Sequence, residues 1–328
     1  MKPVRWGIIS PAKIGVEKVI PAMLKSTELE VAALASRDLS RAQAACKALG
    51  IPKAYGSYEE LFADPTIEAV YNPTPNHLHV PLTLQAVKAG KHVLCEKPIA
   101  ITARDAEQLR AVPKGMLVAE AFMVRHHPQW KMARELAKSG ALGTLRAIQV
   151  LFSYHLVDPA NVRNKADIGG GGLLDIGCYP VTGARYVFDS EPTRVIALID
   201  RDPKFKTDRL ASGIADFGQG RQLSFTVGTQ SMNFQRVQML GSTGRFEIDI
   251  PFNAPPDTPT LVHLHQDGRD VVTTRIPVID QYQAQAEAFG RAIRGIEPLA
   301  YDVEDAIKNM RILDAFVRSE TSNRWEAV

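Results

Sequence analysis

The chain has 328 residues, 45% hydrophobic and 23% charged, with a net charge of +3, which favours two domains, each able to bury a core. So small a charge, with no basic block, excludes nucleic acid and anionic membranes as partners. Cys46, Cys95 and Cys178 are too few for a disulfide framework, and no apolar run could span a bilayer or act as an export signal, so the expected setting is cytoplasmic.

The first 120 residues alternate strand and helix patterns. Strands are predicted at Val4–Ile9, Leu29–Ala35, Ala69–Asn72, His92–Cys95 and Met116–Ala119. Between them, helices are predicted at Gly15–Lys25, Ser40–Leu49, Tyr58–Phe62, Leu78–Ala89 and Thr102–Ala111, two of them stopped by Gly50 and Gly90. This alternation predicts a parallel sheet with crossover helices.

From residue 144 the pattern changes. Strands are predicted at Leu145–Phe152, Arg194–Asp200, Gly213–Phe217, Gln222–Thr229, Arg236–Gly241, Gly244–Ile250, Leu261–His265 and Asp270–Ile276. Two helices remain, Leu173–Phe188 and Asp302–Ser319. The fold class is therefore α/β: a doubly wound parallel sheet over residues 1–122, then a domain over 123–328 with a large, mostly antiparallel open sheet.

After the first strand, Ser10-Pro11-Ala12-Lys13-Ile14-Gly15 stands where a dinucleotide-binding loop carries G-x-G-x-x-G. Only the third glycine is present. Ala12 is small enough for the backbone to approach a pyrophosphate, and the amides opening the helix at Lys13 and Ile14 favour an anion. Alone, this loop reads equally as a ligand-free turn. At the end of the second strand, Ser36 and Arg37, with Arg41 one helical turn on, suit a 2′-phosphate and hence NADP; Asp38 beside them keeps NAD in view.

Glu96-Lys97-Pro98 closes the run Lys91–Cys95. A lysine at the carboxyl end of a buried strand sits where open α/β sheets bind ligands. Further on, Gly169-Gly170-Gly171-Gly172 leads into a helix with Asp175 and Tyr179 at i, i+4, which places both on one face. A lysine, an acid and a phenol suit proton transfer coupled to hydride transfer. Asp175 would bind a substrate hydroxyl or orient Lys97. Helix position alone reads Tyr179 as a core residue. His263 and His265 alternate on a strand without a further ligand, so no metal is expected.

Five segments together resemble the Gfo/Idh/MocA oxidoreductase family over nearly the whole length: Arg5-Trp6-Gly7-Ile8-Ile9, Thr74-Pro75-Asn76-His77-Leu78-His79, Ala89-Gly90-Lys91-His92-Val93-Leu94-Cys95-Glu96-Lys97-Pro98, Glu120-Ala121-Phe122-Met123, and Gly170-Gly171-Gly172-Leu173-Leu174-Asp175-Ile176-Gly177-Cys178-Tyr179. The resemblance implies an amino-terminal Rossmann domain, and a second sheet whose open face forms a homodimer or a dimer of dimers. It implies hydride transfer between a nicotinamide cofactor and a sugar or related small-molecule centre. Tyrosine at 179, where many members carry histidine, resembles the branch of glucose–fructose oxidoreductase, aldose 1-dehydrogenases and dimeric dihydrodiol dehydrogenases.

By the same resemblance Thr74, Pro75, Asn76, His79, Glu96 and Lys97 contact the cofactor. Arg125, His127, Arg163 and Tyr282 join Lys97, Asp175 and Tyr179 in contacting substrate. Lys97 would stabilise alkoxide charge and Tyr179 would exchange the hydroxyl proton. The expected function is oxidation of an aldose at C1 with NADP. The alternatives are oxidation of a cyclic trans-dihydrodiol and, in another class, a non-catalytic NADP-binding regulator.

Overall fold

The computed structural model describes residues 2–328. The chain divides into two compact units, one formed by the chain through Met123 with Tyr282–Lys308, the other by Val124–Gln281 with Asn309–Val328.

The first unit holds β1 (Val4–Ile9), β2 (Leu29–Ala35), β3 (Lys53–Tyr55), β4 (Ala69–Asn72), β5 (His92–Cys95) and β6 (Val118–Glu120). They form one parallel sheet in the order β3-β2-β1-β4-β5-β6. The order reverses between β1 and β4, and ligands of such sheets bind at the carboxyl ends around that point. Because helices cover both faces, β4 is buried at every position and β2 at all but one.

The helix Gln281–Ile293 belongs to this unit, although the division read from sequence puts everything after residue 122 in the second domain. Its Ala286 and Phe289 sit in the core of the first sheet, with Phe289 5.7 Å from Trp6 between ring centroids. Arg294 just beyond it pairs with Glu68 at 2.7 Å. This helix and Pro128–Lys138 are absent from the sequence reading. The first is glutamine-rich with an internal Gly290, and the second opens on His127 and Pro128, an uncommon cap.

The second unit adds β7 (Leu145–His155), β8 (Arg194–Arg201), β9 (Asp208–Asp216), β10 (Gln222–Gly228), β11 (Gln230–Gly241), β12 (Gly244–Ile248), β13 (Thr260–Gln266), β14 (Val272–Ile276) and β15 (Glu326–Ala327). The sheet order is β14-β13-β12-β11-β7-β10-β9-β8-β15, antiparallel except for the pair β7 and β10. Alternation is plain in β7, where Ile148, Val150 and Phe152 are buried while Gln149 and Leu151 are exposed. The buried face packs on helices: Trp130 donates to the Pro251 carbonyl at 2.7 Å, and Phe316 meets Phe225 edge-on at 5.1 Å. β9 and β11 begin earlier than their apolar patterns suggest, because polar residues open both strands.

Two predicted helices open with a wide π turn, Gly15–Val19 and Leu173–Gly177. Such turns recur at functional sites. No helix among the described residues is long and apolar enough to cross a membrane.

Candidate functional site

In the first unit the chemistry-bearing residues cluster at the carboxyl ends of the parallel strands. Ser10, directly after β1, has φ +90°, a left-handed backbone that a glycine would adopt without strain. Its amide donates to the Ala35 carbonyl at 2.8 Å, tying the loop to the end of β2. Ala12 and Ile14 are half-buried, and the Lys13 side chain is exposed beside Glu17. With helical backbone beginning at Lys13, the glycine-like turn and first-turn amides fit a dinucleotide pyrophosphate.

At the end of β2, Ser36 is buried and Arg37 and Arg41 are exposed. The Asp38 carboxylate caps the helix Leu39–Leu49, accepting from the amides of Ser40 at 2.9 Å and Arg41 at 3.4 Å and from the Ser40 hydroxyl at 2.6 Å. Neither guanidinium pairs with a carboxylate of the described residues. Asp38 is thus committed to its helix, while the two arginines remain available to an anion.

The loop after β4 is tied inward. The Thr74 hydroxyl donates to Asn72 Oδ1 at 2.7 Å, and the buried His79 ring lies 2.6 Å from the Thr74 carbonyl and 2.7 Å from that of Pro98. Burial pushes the His79 pKa down to about 4 despite those two carbonyls. Thr74 and His79, read from sequence as cofactor contacts, therefore spend their polar side-chain atoms on the fold. Pro75 and Asn76 stay half-buried at the loop tip.

His79 also joins this loop to the Lys97 turn, where three further contacts meet. The Glu96 carboxylate accepts from Tyr71 Oη at 2.6 Å and from the Lys97 amide at 3.3 Å. Buried Glu120, at the end of β6, accepts from the Ile99 amide at 2.7 Å. Lys97 itself is half-buried. Tyr282 packs on the core of this unit.

In the second unit, Asp175 lies within the π turn and Tyr179 in the α-helix after it. Arg163 lies within electrostatic reach of both side chains. Asp175 Oδ2 accepts from Tyr154 Oη at 2.6 Å and from Arg163 Nε at 2.9 Å. The Asp175 charge holds Arg163 firmly protonated, and burial, with Asp175 beside it, pushes the Tyr154 phenol up. The Tyr179 ring is buried between Phe152 and Phe252, at 5.8 and 5.2 Å between centroids.

The glycine run exists for close approach. A Cβ at Gly170 would lie 2.6 Å from the carbonyl oxygens of Arg163 and Lys165, and one at Gly171, where φ is +125°, would lie 1.9 Å from Asp208 Oδ1. Asp208 accepts from the Leu173 amide, and burial pushes its carboxyl up to about 6.

Arg125 is buried; burial pushes the Tyr186 phenol up, against the nearby charges of Arg134 and Arg125. The His127 ring caps the helix Pro128–Lys138 through Nδ1, which accepts from the Gln129 amide at 3.4 Å, and burial pushes its pKa down to about 4. His263 lies 3.1 Å from Asp249 and His265 3.2 Å from Glu247, and among the described residues no three His, Cys, Asp or Glu are grouped to hold a metal. Tyr154 and Asp208 escape the sequence reading, and Glu120 enters it only as part of a family segment, without a role. Each acts on residues 21 or more positions away, a separation that no local motif reports.

Residues 4–118 match the model of an oxidoreductase family with an NAD-binding Rossmann fold, and residues 130–247 match the GFO/IDH/MocA C-terminal domain. The chain is 45% identical to an uncharacterized oxidoreductase of Rhizobium meliloti over 100% of both chains. It is 38% identical to a D-xylose 1-dehydrogenase (NADP(+)) of Haloferax volcanii over 96% of both. Among solved structures, a 3-ketoreductase from Actinomadura kijaniata in complex with NADP and TDP-benzene superposes with a TM-score of 0.91 at 29% identity, covering 97% of this chain and 98% of that one. The chain belongs to the Gfo/Idh/MocA family of NAD(P)-dependent oxidoreductases.

Proposed function

We propose that this oxidoreductase uses NADP to oxidise an aldose at C1. The observation that carries this reading is the likeness to the xylose dehydrogenase over 96% of both chains. The state of Asp38 supports NADP over NAD: its carboxylate is occupied at a helix cap, whereas Arg37 and Arg41 can meet a 2′-phosphate with charge-assisted bonds. Ser10, Ala12, Lys13 and Ile14 would hold the pyrophosphate, and the loop of Thr74, Pro75 and Asn76 would border the nicotinamide. A bound nicotinamide dinucleotide supplies hydride transfer.

The chain's own residues handle the proton and the oxygen. Tyr179 takes the hydroxyl proton. A free phenol is ionised in only about one molecule in a thousand at pH 7. Positive charge offsets part of that cost, and Arg163, whose charge reaches Tyr179, is proposed to supply it. Lys97 stabilises the developing alkoxide. Asp175, held by Tyr154 and Arg163, accepts a hydrogen bond from a second substrate hydroxyl.

The open face of the second sheet is proposed to meet a second copy of the chain. Leu198, Phe234 and Leu240 stand exposed there, and Leu198→Asp or Phe234→Asp should shift sedimentation toward the monomer.

A panel of aldoses and cyclic trans-diols, offered with NADP or NAD, tests the activity through absorbance of the reduced cofactor. The expected result is the highest kcat/KM with NADP and an aldose. A higher value with NAD overturns the cofactor choice, and turnover of diols alone overturns the substrate class. Arg37→Ala should raise KM for NADP about tenfold while leaving that for NAD nearly unchanged.

A further inference from the structure

We infer that Asp208, on β9, is a positioning residue that sets the place of Asp175 and Tyr179 in the reaction; this rests on the roles proposed for those two residues. Asp208 is buried at the start of its strand, in register with Arg201 of β8. Its Oδ2 accepts from the Leu173 amide, and the Gly172 amide also reaches the carboxylate. Its Oδ1 occupies the space that any side chain at Gly171 would need.

Gly171 in turn receives the Asp175 amide on its carbonyl at 3.0 Å and donates its own amide to the Arg163 carbonyl at 2.9 Å. The side chain of that same Arg163 holds Asp175. One carboxylate on a rigid strand thus fixes both the entry of the π turn and the loop that carries the partner of Asp175. Two converging amides at a helix start call for an acceptor with negative charge. Asparagine at 208 keeps the shape but removes the negative charge that those amides face.

The test is Asp208→Asn and Asp208→Ser in the full-length protein, compared with Tyr179→Phe and Asp175→Asn in the NADP and aldose assay. Positioning predicts that Asp208→Asn lowers kcat about tenfold, leaves KM for NADP unchanged, and does not lower Tm. It also predicts that amide hydrogen exchange at Leu173 and Asp175 accelerates at least tenfold. A kcat within twofold of the parent overturns the inference. So does a loss of activity that parallels a fall in Tm and vanishes at lower assay temperature, which marks a merely structural role. Unchanged exchange at Leu173 and Asp175 overturns it whatever the activity. Near-normal turnover in both Tyr179→Phe and Asp175→Asn would instead sink the proposed mechanism, and the exchange measurement would still report whether Asp208 holds the turn.

Discussion

Asp64 in the first unit and Asp208 in the second are both buried carboxylates, yet their acidities move in opposite directions. Burial raises both. At Asp64 it is outweighed by donors: the Thr66 hydroxyl at 2.7 Å and amide at 2.8 Å, Tyr55 Oη at 2.7 Å and Lys53 Nζ at 3.0 Å. At Asp208 backbone amides are the principal donors, so burial prevails. The first carboxylate strengthens its unit by being charged. The second is kept charged at a cost to the fold, the pattern expected where geometry serves chemistry.

The largest expected effects test whether each unit carries one half of that chemistry. Lys97→Ala from the first and Tyr179→Phe from the second should each lower kcat by about two orders of magnitude or more, with Tm nearly unchanged. Normal turnover in either variant removes that residue from the mechanism.

Next comes stability. Asp64→Asn leaves Lys53 and Tyr55 without their anion and should cost about 1–3 kcal/mol in urea unfolding at pH 7, with kcat within twofold of the parent. A loss of kcat as large as that expected for Asp208→Asn would erase the contrast between the two sites.

pH sharpens it further. Asp64 is shifted below its ordinary range, and Glu68, paired with Arg294, is held down at about 2. The stability these groups contribute is present above about pH 4 and is lost as pH falls below it. Asp208, raised to about 6, runs the other way: its contribution is present below about pH 4 and lost as pH rises through 6. Asp64→Asn should therefore flatten the stability curve below pH 4, and Asp208→Asn should flatten it between 4 and 6. The reverse assignment would refute the account of both sites.

The smallest effect belongs to Ser10. Relieving its left-handed backbone by Ser10→Gly should stabilise the protein by about 0.5–1 kcal/mol in thermal unfolding. A destabilised variant would show that the serine side chain contributes more than its backbone strain costs.

Much of this protein was legible from residue order. Short apolar runs alternating with helices, two of which stop at Gly50 and Gly90, mark the parallel sheet, because strands buried on both faces need no alternation. Alternation in Leu145–Phe152 marks the second sheet, since one of its faces is open. Lys97 stood out because it follows a strand that must be buried, and ligands of such sheets gather at strand ends.

What the chain order could not show is which polar groups meet. Asp175 looked like one member of a helical pair with Tyr179, and nothing in that spacing pointed to Tyr154 and Arg163 as the donors to its carboxylate. His79 looked like a cofactor contact until two backbone carbonyls claimed its ring, and one nitrogen of His127 caps a helix that the sequence did not reveal. The helix Gln281–Ile293 joins a core built almost wholly from residues before 123. Periodicity reports which side of an element is apolar. The hydrogen bonds that place Asp208 on Leu173, or Glu120 on Ile99, depend on distances that only the packed chain sets.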